Sequence, residues 1–85
     1  MKQFEIEVQK VNGYCVYDYK KGDKITVNGY ETPAGFCGGA YVTLFPIIVA
    51  LSSGARFDFE EDPLCKTKMA CPDDGKVVFK VRLKE

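Results

Sequence analysis

The sequence predicts a small α+β domain in which roughly four antiparallel strands pack on one helical segment, in the chain order β-β-α-β-β. Three observations lead there. Phe4, Ile6 and Val8 alternate with Glu5, Glu7 and Gln9 near the start of the chain. Val77, Phe79, Val81 and Leu83 alternate against Lys80 and Arg82 near its end. Both stretches show the period-two pattern of a strand with one wet face. Between them, Thr32 to Ala55 runs twenty-four residues without a charge, while the other sixty-one carry all twenty-four charges.

The elements follow in order. The first strand ends at Asn12-Gly13, and Tyr14 to Lys21 reads as an irregular, tyrosine-rich loop. Gly22-Asp23 opens a second strand, Lys24 to Val27, which Asn28-Gly29 closes. Pro33 to Phe36 is loop, and Gly38-Gly39 loosens the entry to a helix over Ala40–Ser53. Pro46 lacks an amide hydrogen and crowds the preceding turn, so it kinks this helix or starts a second short one. Gly54 suits a left-handed cap at the helix end. Thr67 to Cys71 makes a third strand and Lys76 to Leu83 a fourth. Between them Pro72-Asp73-Asp74-Gly75 has hairpin-loop chemistry, proline presetting one dihedral and glycine taking the left-handed position.

The block Ala40 to Leu51 is apolar at every position except Thr43 and Pro46, so the helix is apolar nearly all round. One face belongs on the sheet and the other needs a second cover, either the Phe57/Phe59 segment or a partner subunit. A membrane span is the competing reading, but spanning takes about 20 mostly apolar residues. Here the apolar block is twelve, flanked by Gly35, Gly38, Gly39 and Gly54, with Pro46 inside, and its flanks lack the Lys/Arg asymmetry that orients spans. A buried core helix is therefore expected, and no membrane partner.

Eighty-five residues make one domain, which buries only about 60–65% of its unfolded surface, so a homodimer hiding the outer helix face is an expected partner. Twelve basic and twelve acidic side chains cancel, only Arg56 and Arg82 are arginines, and no basic run exceeds Lys20-Lys21. Phosphate-backbone binding draws on clustered cations, so no nucleic-acid partner is expected. Arg56–Asp62 carries net −3 and Lys66–Glu85 net +3. Solvated, unpaired faces are the preferred reading of these two segments, against mutual attraction within the fold or across a dimer. The alternating N-terminus is no signal peptide, so the expected compartment is the cytoplasm, with Cys15, Cys37, Cys65 and Cys71 as reduced thiols.

The chain has no histidine, which removes Ser–His and Cys–His nucleophile pairs and histidine metal ligands. Gly35, Gly38 and Gly39 fit neither a Walker loop nor a dinucleotide fingerprint. Cys37 stands out because it precedes the helix start, where unpaired amides and the helix dipole favour a thiolate. Gly38 and Gly39 after it let a ligand approach the backbone closely. The alternative for Cys37 is a small buried thiol packed in a loop.

A four-thiolate centre is disfavoured, because the cysteine gaps are 22, 28 and 6 with no Cys-x-x-Cys pair. An extended Cys65–Cys71 segment also separates those sulfurs by about 20 Å. A three-thiolate site from Cys15, Cys37 and Cys71 survives geometrically, since all three sit at element ends. No cofactor is the leading expectation, with zinc or an iron–sulfur cluster at those three cysteines as the alternative. Asp58, Glu60, Glu61 and Asp62 lack calcium-loop spacing and read as an acidic turn before Pro63. Tyr14, Tyr17, Tyr19, Tyr30 and Tyr41 read as partly buried loop residues rather than as a pocket or interface lining.

Gly13-Tyr14-Cys15, Lys20-x-Gly22-Asp23, Cys37, the helix with Pro46, Gly54-Ala55-x-Phe57, Asp62-Pro63 and Ala70-Cys71-Pro72-Asp73 form a frame over nearly the whole chain. In order and spacing it resembles a family of small uncharacterised prokaryotic proteins of this length, seen in anaerobic bacteria and archaea, with scattered cysteines and a Cys-Pro-Asp motif. The resemblance implies a cytoplasmic one-domain protein without an assigned activity. It maps the family's cysteines onto Cys15, Cys37 and Cys71 and leaves Cys65 extra. Two departures stand out: Tyr17-Asp18-Tyr19 where a Gly-His pair often precedes the lysine, and Gly38 where proline commonly follows the cysteine. Losing that histidine weakens a metal or acid–base role.

The leading functional expectation is a non-enzymatic binding or interaction module with its site at Cys15, Cys37, Gly38, Gly39 and Cys71. The alternative is a thiol-dependent metal-binding or redox protein using Cys15, Cys37 and Cys71.

Overall fold

A computed structural model of the chain describes residues 2–13 and 17–84. Its elements are β1 (Gln3–Val11), β2 (Lys24–Asn28), α1 (Gly38–Ser52), β3 (Cys65–Ala70) and β4 (Val77–Lys84). The four strands form one antiparallel sheet in the order β2-β1-β4-β3, so the first and last strands of the chain make its central pair. The expected α+β fold and the ββαββ order are both present.

The alternation decides the faces. Phe4, Ile6 and Val8 of β1 and Val77, Phe79, Val81 and Leu83 of β4 are all buried on the face that carries α1. The helix meets them with Ala40, Tyr41, Leu44, Ile48 and Leu51, which recur every three or four residues and so share one stripe. Each fully buried Leu or Ile of this set contributes about 1.5–3 kcal/mol by removal from water. The opposite face of the central strands carries Glu5, Glu7, Lys80 and Arg82, with Glu7 and Lys80 paired across the strands at 3.3 Å.

The helix departs from expectation in two ways. It begins at Gly38, so the two glycines form its first turn rather than loosening its entry. It also continues through Pro46 as one helix, so the proline does not start a second one. The bond that proline cannot make would have gone to the carbonyl of Val42, a residue 75% exposed, where water can take its place.

The helix ends on a Schellman turn. Gly54 has φ +97°, its N–H donates to the Leu51 carbonyl, and the Ala55 N–H donates to the Ala50 carbonyl. That turn sends the chain off the helix and around to the other side of the sheet.

There the acidic segment behaves differently from the preferred reading. Phe57 packs against the core, but Phe59 is 76% exposed, and the segment does not cover the outer side of α1. Instead Glu60 and Asp62 reach β3 and β4: Glu60 lies 3.5 Å from Lys66 Nζ, and Asp62 accepts from Arg82 Nε at 2.9 Å. The oppositely charged segments therefore pair within the fold rather than standing as unpaired solvated faces. The strand register shifts at two points, one between Val8 and Lys10, the other between Lys66 and Met69, as at β-bulges. Gln9, in the first, accepts the backbone N–H of Lys68, which has φ +59° in the second.

Candidate functional site

A single fifteen-residue helix cannot blanket four strands, and apolar space remains at its N-terminal end. The β3–β4 hairpin turns there through Pro72-Asp73-Asp74-Gly75, with Asp74 (φ +56°) and Gly75 (φ +65°) both left-handed. The turn brings Cys71 opposite Val77, whose carbonyl accepts the Cys71 N–H at 2.9 Å. Cys37 is the residue just before the helix, with extended backbone (φ −64°, ψ 117°), and its carbonyl accepts the first helical bond from Tyr41 N–H. The loop before β2 contributes Tyr19, whose hydroxyl oxygen accepts the Cys37 N–H at 2.9 Å.

These three chain segments enclose a cavity of about 290 Å³. Cys37, Cys71, Ala40, Val77, Tyr19 and Phe79 supply most of its apolar wall. Asp73 and Lys76 stand at its mouth and are paired with each other at 3.5 Å. Gly39 belongs to the wall by virtue of what it lacks. A Cβ there would sit 3.8 Å from Cys37 Sγ and 3.9 Å from the Pro72 ring, between the helix and the hairpin.

Of the residues predicted for the site, the structure brings Cys37, Gly39 and Cys71 to this cavity. Gly38 lies beside it with open space where its Cβ would be. Cys15 lies outside the described residues. Cys65 is elsewhere, buried on the outer face beside Glu60 and Asp62. Burial pushes the Cys65 thiol up from its ordinary value, with Lys80 opposing the rise and Asp62 and Glu60 adding to it, which disfavours its thiolate.

The two thiols at the cavity differ in surroundings. Cys71 Sγ accepts the Val77 N–H at 3.4 Å and approaches the Asp73 carbonyl at 3.8 Å. Cys37 Sγ has the glycine gap in front of it and no cap bond to the helix amides. Cys37, Cys65 and Cys71 are all free thiols. Among the described residues no three or more Cys, Asp or Glu side chains converge as metal ligands do. The acidic turn is engaged structurally: Glu60 accepts the Thr67 N–H and hydroxyl, and Asp62 accepts the Leu64 N–H. Those hydrogen bonds, with Lys66 and Arg82, hold both carboxyls below their ordinary range.

Phe79 was not singled out from the sequence as a site residue, and Tyr19, read as a partly buried loop residue rather than a pocket lining, does line the cavity. For Phe79 a signal existed, since period two places it on the inner face opposite the helix. Tyr19 sits in a loop without periodicity. Of the other tyrosines, Tyr41 is a buried helix residue whose hydroxyl donates to the Glu31 carbonyl, and burial raises its titration above the ordinary tyrosine value.

No protein-family model, no curated protein and no solved structure matches this chain.

Proposed function

We propose that the chain is a small non-enzymatic binding module of the cytoplasm, and that its ligand site is the cavity between the start of α1 and the β3–β4 hairpin. The observation that carries this reading is the cavity: about 290 Å³ of unfilled apolar space, near the lower bound of small-molecule pockets, with its charged groups confined to the mouth. Its walls offer shape and apolar contact, and the charges at the mouth already neutralise each other. The free thiols fit a reducing compartment. No helix among the described residues is long and apolar enough to cross a membrane.

Backbone-amide NMR against a library of small neutral aliphatic and aromatic compounds tests the proposal. Shifts clustered at Gly39, Ala40, Cys71 and Val77 support it. A library that leaves those amides unmoved, or moves only residues elsewhere, overturns it.

The shared thiols favour a second reading, a metal-binding or redox protein using Cys15, Cys37 and Cys71. It requires metal in the purified protein by elemental analysis or an enhanced alkylation rate at Cys37 near neutral pH, and it fails if neither is found. We further propose that the exposed outer side of α1, Val42 and Val49 with Pro46, pairs with a second copy, as its uncharged apolar surface suggests. Light scattering that shows a soluble monomer ends that idea.

A further inference from the structure

A second cavity, also of about 290 Å³, adjoins the first at Tyr19. Ile6, Val8, Ile25 and Phe36 line it, with Asp23 and Lys24 exposed at its mouth. The two cavities have just two wall residues in common, Tyr19 and Phe79. Phe79 is 1% exposed and belongs to the sheet, so it is the floor of both. The half-buried Tyr19 ring stands edge-on to that floor, 5.7 Å from Phe79 between centroids, and also contacts Phe36 at 5.6 Å. Its hydroxyl accepts from Cys37 N–H, which fixes the ring at the helix entrance.

The geometry points to Tyr19 as the residue that sets ligand length: its ring is a partition dividing one elongated apolar channel, so the cavity beside Cys37 and Cys71 admits a short uncharged amphiphile and excludes a long one. The inference rests on the proposed binding function and names its ligand class. An uncharged head suits the mouth because Asp73 and Lys76 are already paired. An apolar chain suits the wall, where each methylene removed from water strengthens binding about fourfold as long as there is room for it. In the native protein that gain stops when the chain reaches the Tyr19 ring. Without the ring the chain continues over Phe79 toward Ile6 and Ile25, and the available space approaches double.

Titration with butanol, hexanol, octanol and decanol, followed by backbone-amide NMR, reads this directly. In the native protein, affinity is expected to level off early in the series, with shifts at Gly39, Ala40, Cys71 and Val77. In Tyr19→Ala it should keep rising about fourfold per methylene to longer chains, and a single alkanol should move Val8, Ile25 and Gly35 together with the first set. Tyr19→Phe keeps the ring and should level off where the native protein does. Tyr19→Leu retains apolar packing and serves where the alanine variant does not fold; it should extend the series by a smaller step. If the native protein binds alkanols but levels off at the same length in the alanine and leucine variants, the partition is wrong while the site stands. If no alkanol moves the cavity amides in any variant, the binding site itself is wrong.

Discussion

The two faces of the sheet are covered by different means, and the contrast explains where this molecule has room for a ligand. On the inner face, α1 covers the strands with Leu44, Ile48 and Leu51 through non-directional apolar contact. One helix does not cover all four strands, and the cavities lie toward its N-terminal end. On the outer face, Glu60 and Asp62 cover the strands through hydrogen bonds to Thr67, Leu64 and Arg82. Each bond has a required length and direction, and among the described residues no buried side-chain nitrogen or oxygen is left without a partner. Apolar packing fixes the fold and leaves volume; polar packing fixes the position of a loop and isolates Cys65.

The largest expected effect attacks the inner face. Leu44→Ala empties a site that is 0% exposed and should cost about 3 kcal/mol in urea unfolding. A cost below about 1 kcal/mol would mean that the helix is not seated on the sheet as described. Next comes the turn that joins the two faces. Gly54→Ala forces a Cβ into φ +97° and should cost about 1–2 kcal/mol, although no neighbour lies within 4 Å of the added carbon.

The outer face is tested by acid. Glu60 and Asp62 titrate below their ordinary values when folded, because hydrogen bonds and cations favour their charged forms. The folded state thus binds fewer protons than the unfolded one. These carboxyls stabilise the fold above the unfolded carboxylate range, about pH 4, and that contribution disappears as pH falls through their depressed values. Glu60→Gln should therefore lower stability at neutral pH and flatten the loss toward acid. A denaturation-midpoint profile with the native slope would show that the acidic turn is not held as described. The smallest effect belongs to the surface that neither device covers. Val42→Glu, at a residue 75% exposed, should change monomer stability by less than about 0.5 kcal/mol while shifting any dimer seen by sedimentation toward monomer.

The fold was legible because it rests on local periodicity. Alternation at Phe4–Val8 and Val77–Leu83, and the single uncharged run, specify two inner faces and one helix without reference to anything distant. Gly54 and Gly75 were legible for a similar reason, since a positive φ is a demand on one residue. Cys37 at the helix entrance followed from the helix boundary alone. Cys71 was grouped with it as another cysteine at an element end, but that the two line one cavity depends on the order β2-β1-β4-β3, which carries the β3–β4 hairpin to the start of α1. Opposite net charge marked Arg56–Asp62 and Lys66–Glu85 as complementary, but whether such segments pair depends on the path the chain takes after Gly54. Pro46 read as a kink or the start of a second helix because proline removes one bond and crowds a carbonyl. Val42 is 75% exposed, so water can take the place of the lost bond, and the helix continues as one.

The central claim, that the space between Cys37 and Cys71 is a binding site, is tested most directly by filling it. Gly39→Leu starts its side chain at ordinary contact distance from Cys37 Sγ and the Pro72 ring and extends it into the cavity. Replacing a helical glycine should preserve or raise thermal stability. Amide NMR of this variant with hexanol is the measurement. An intact spectrum of the folded protein is expected, with the hexanol shifts at Ala40, Cys71 and Val77 lost. A stable variant that still shows the native shifts at those amides would contradict it.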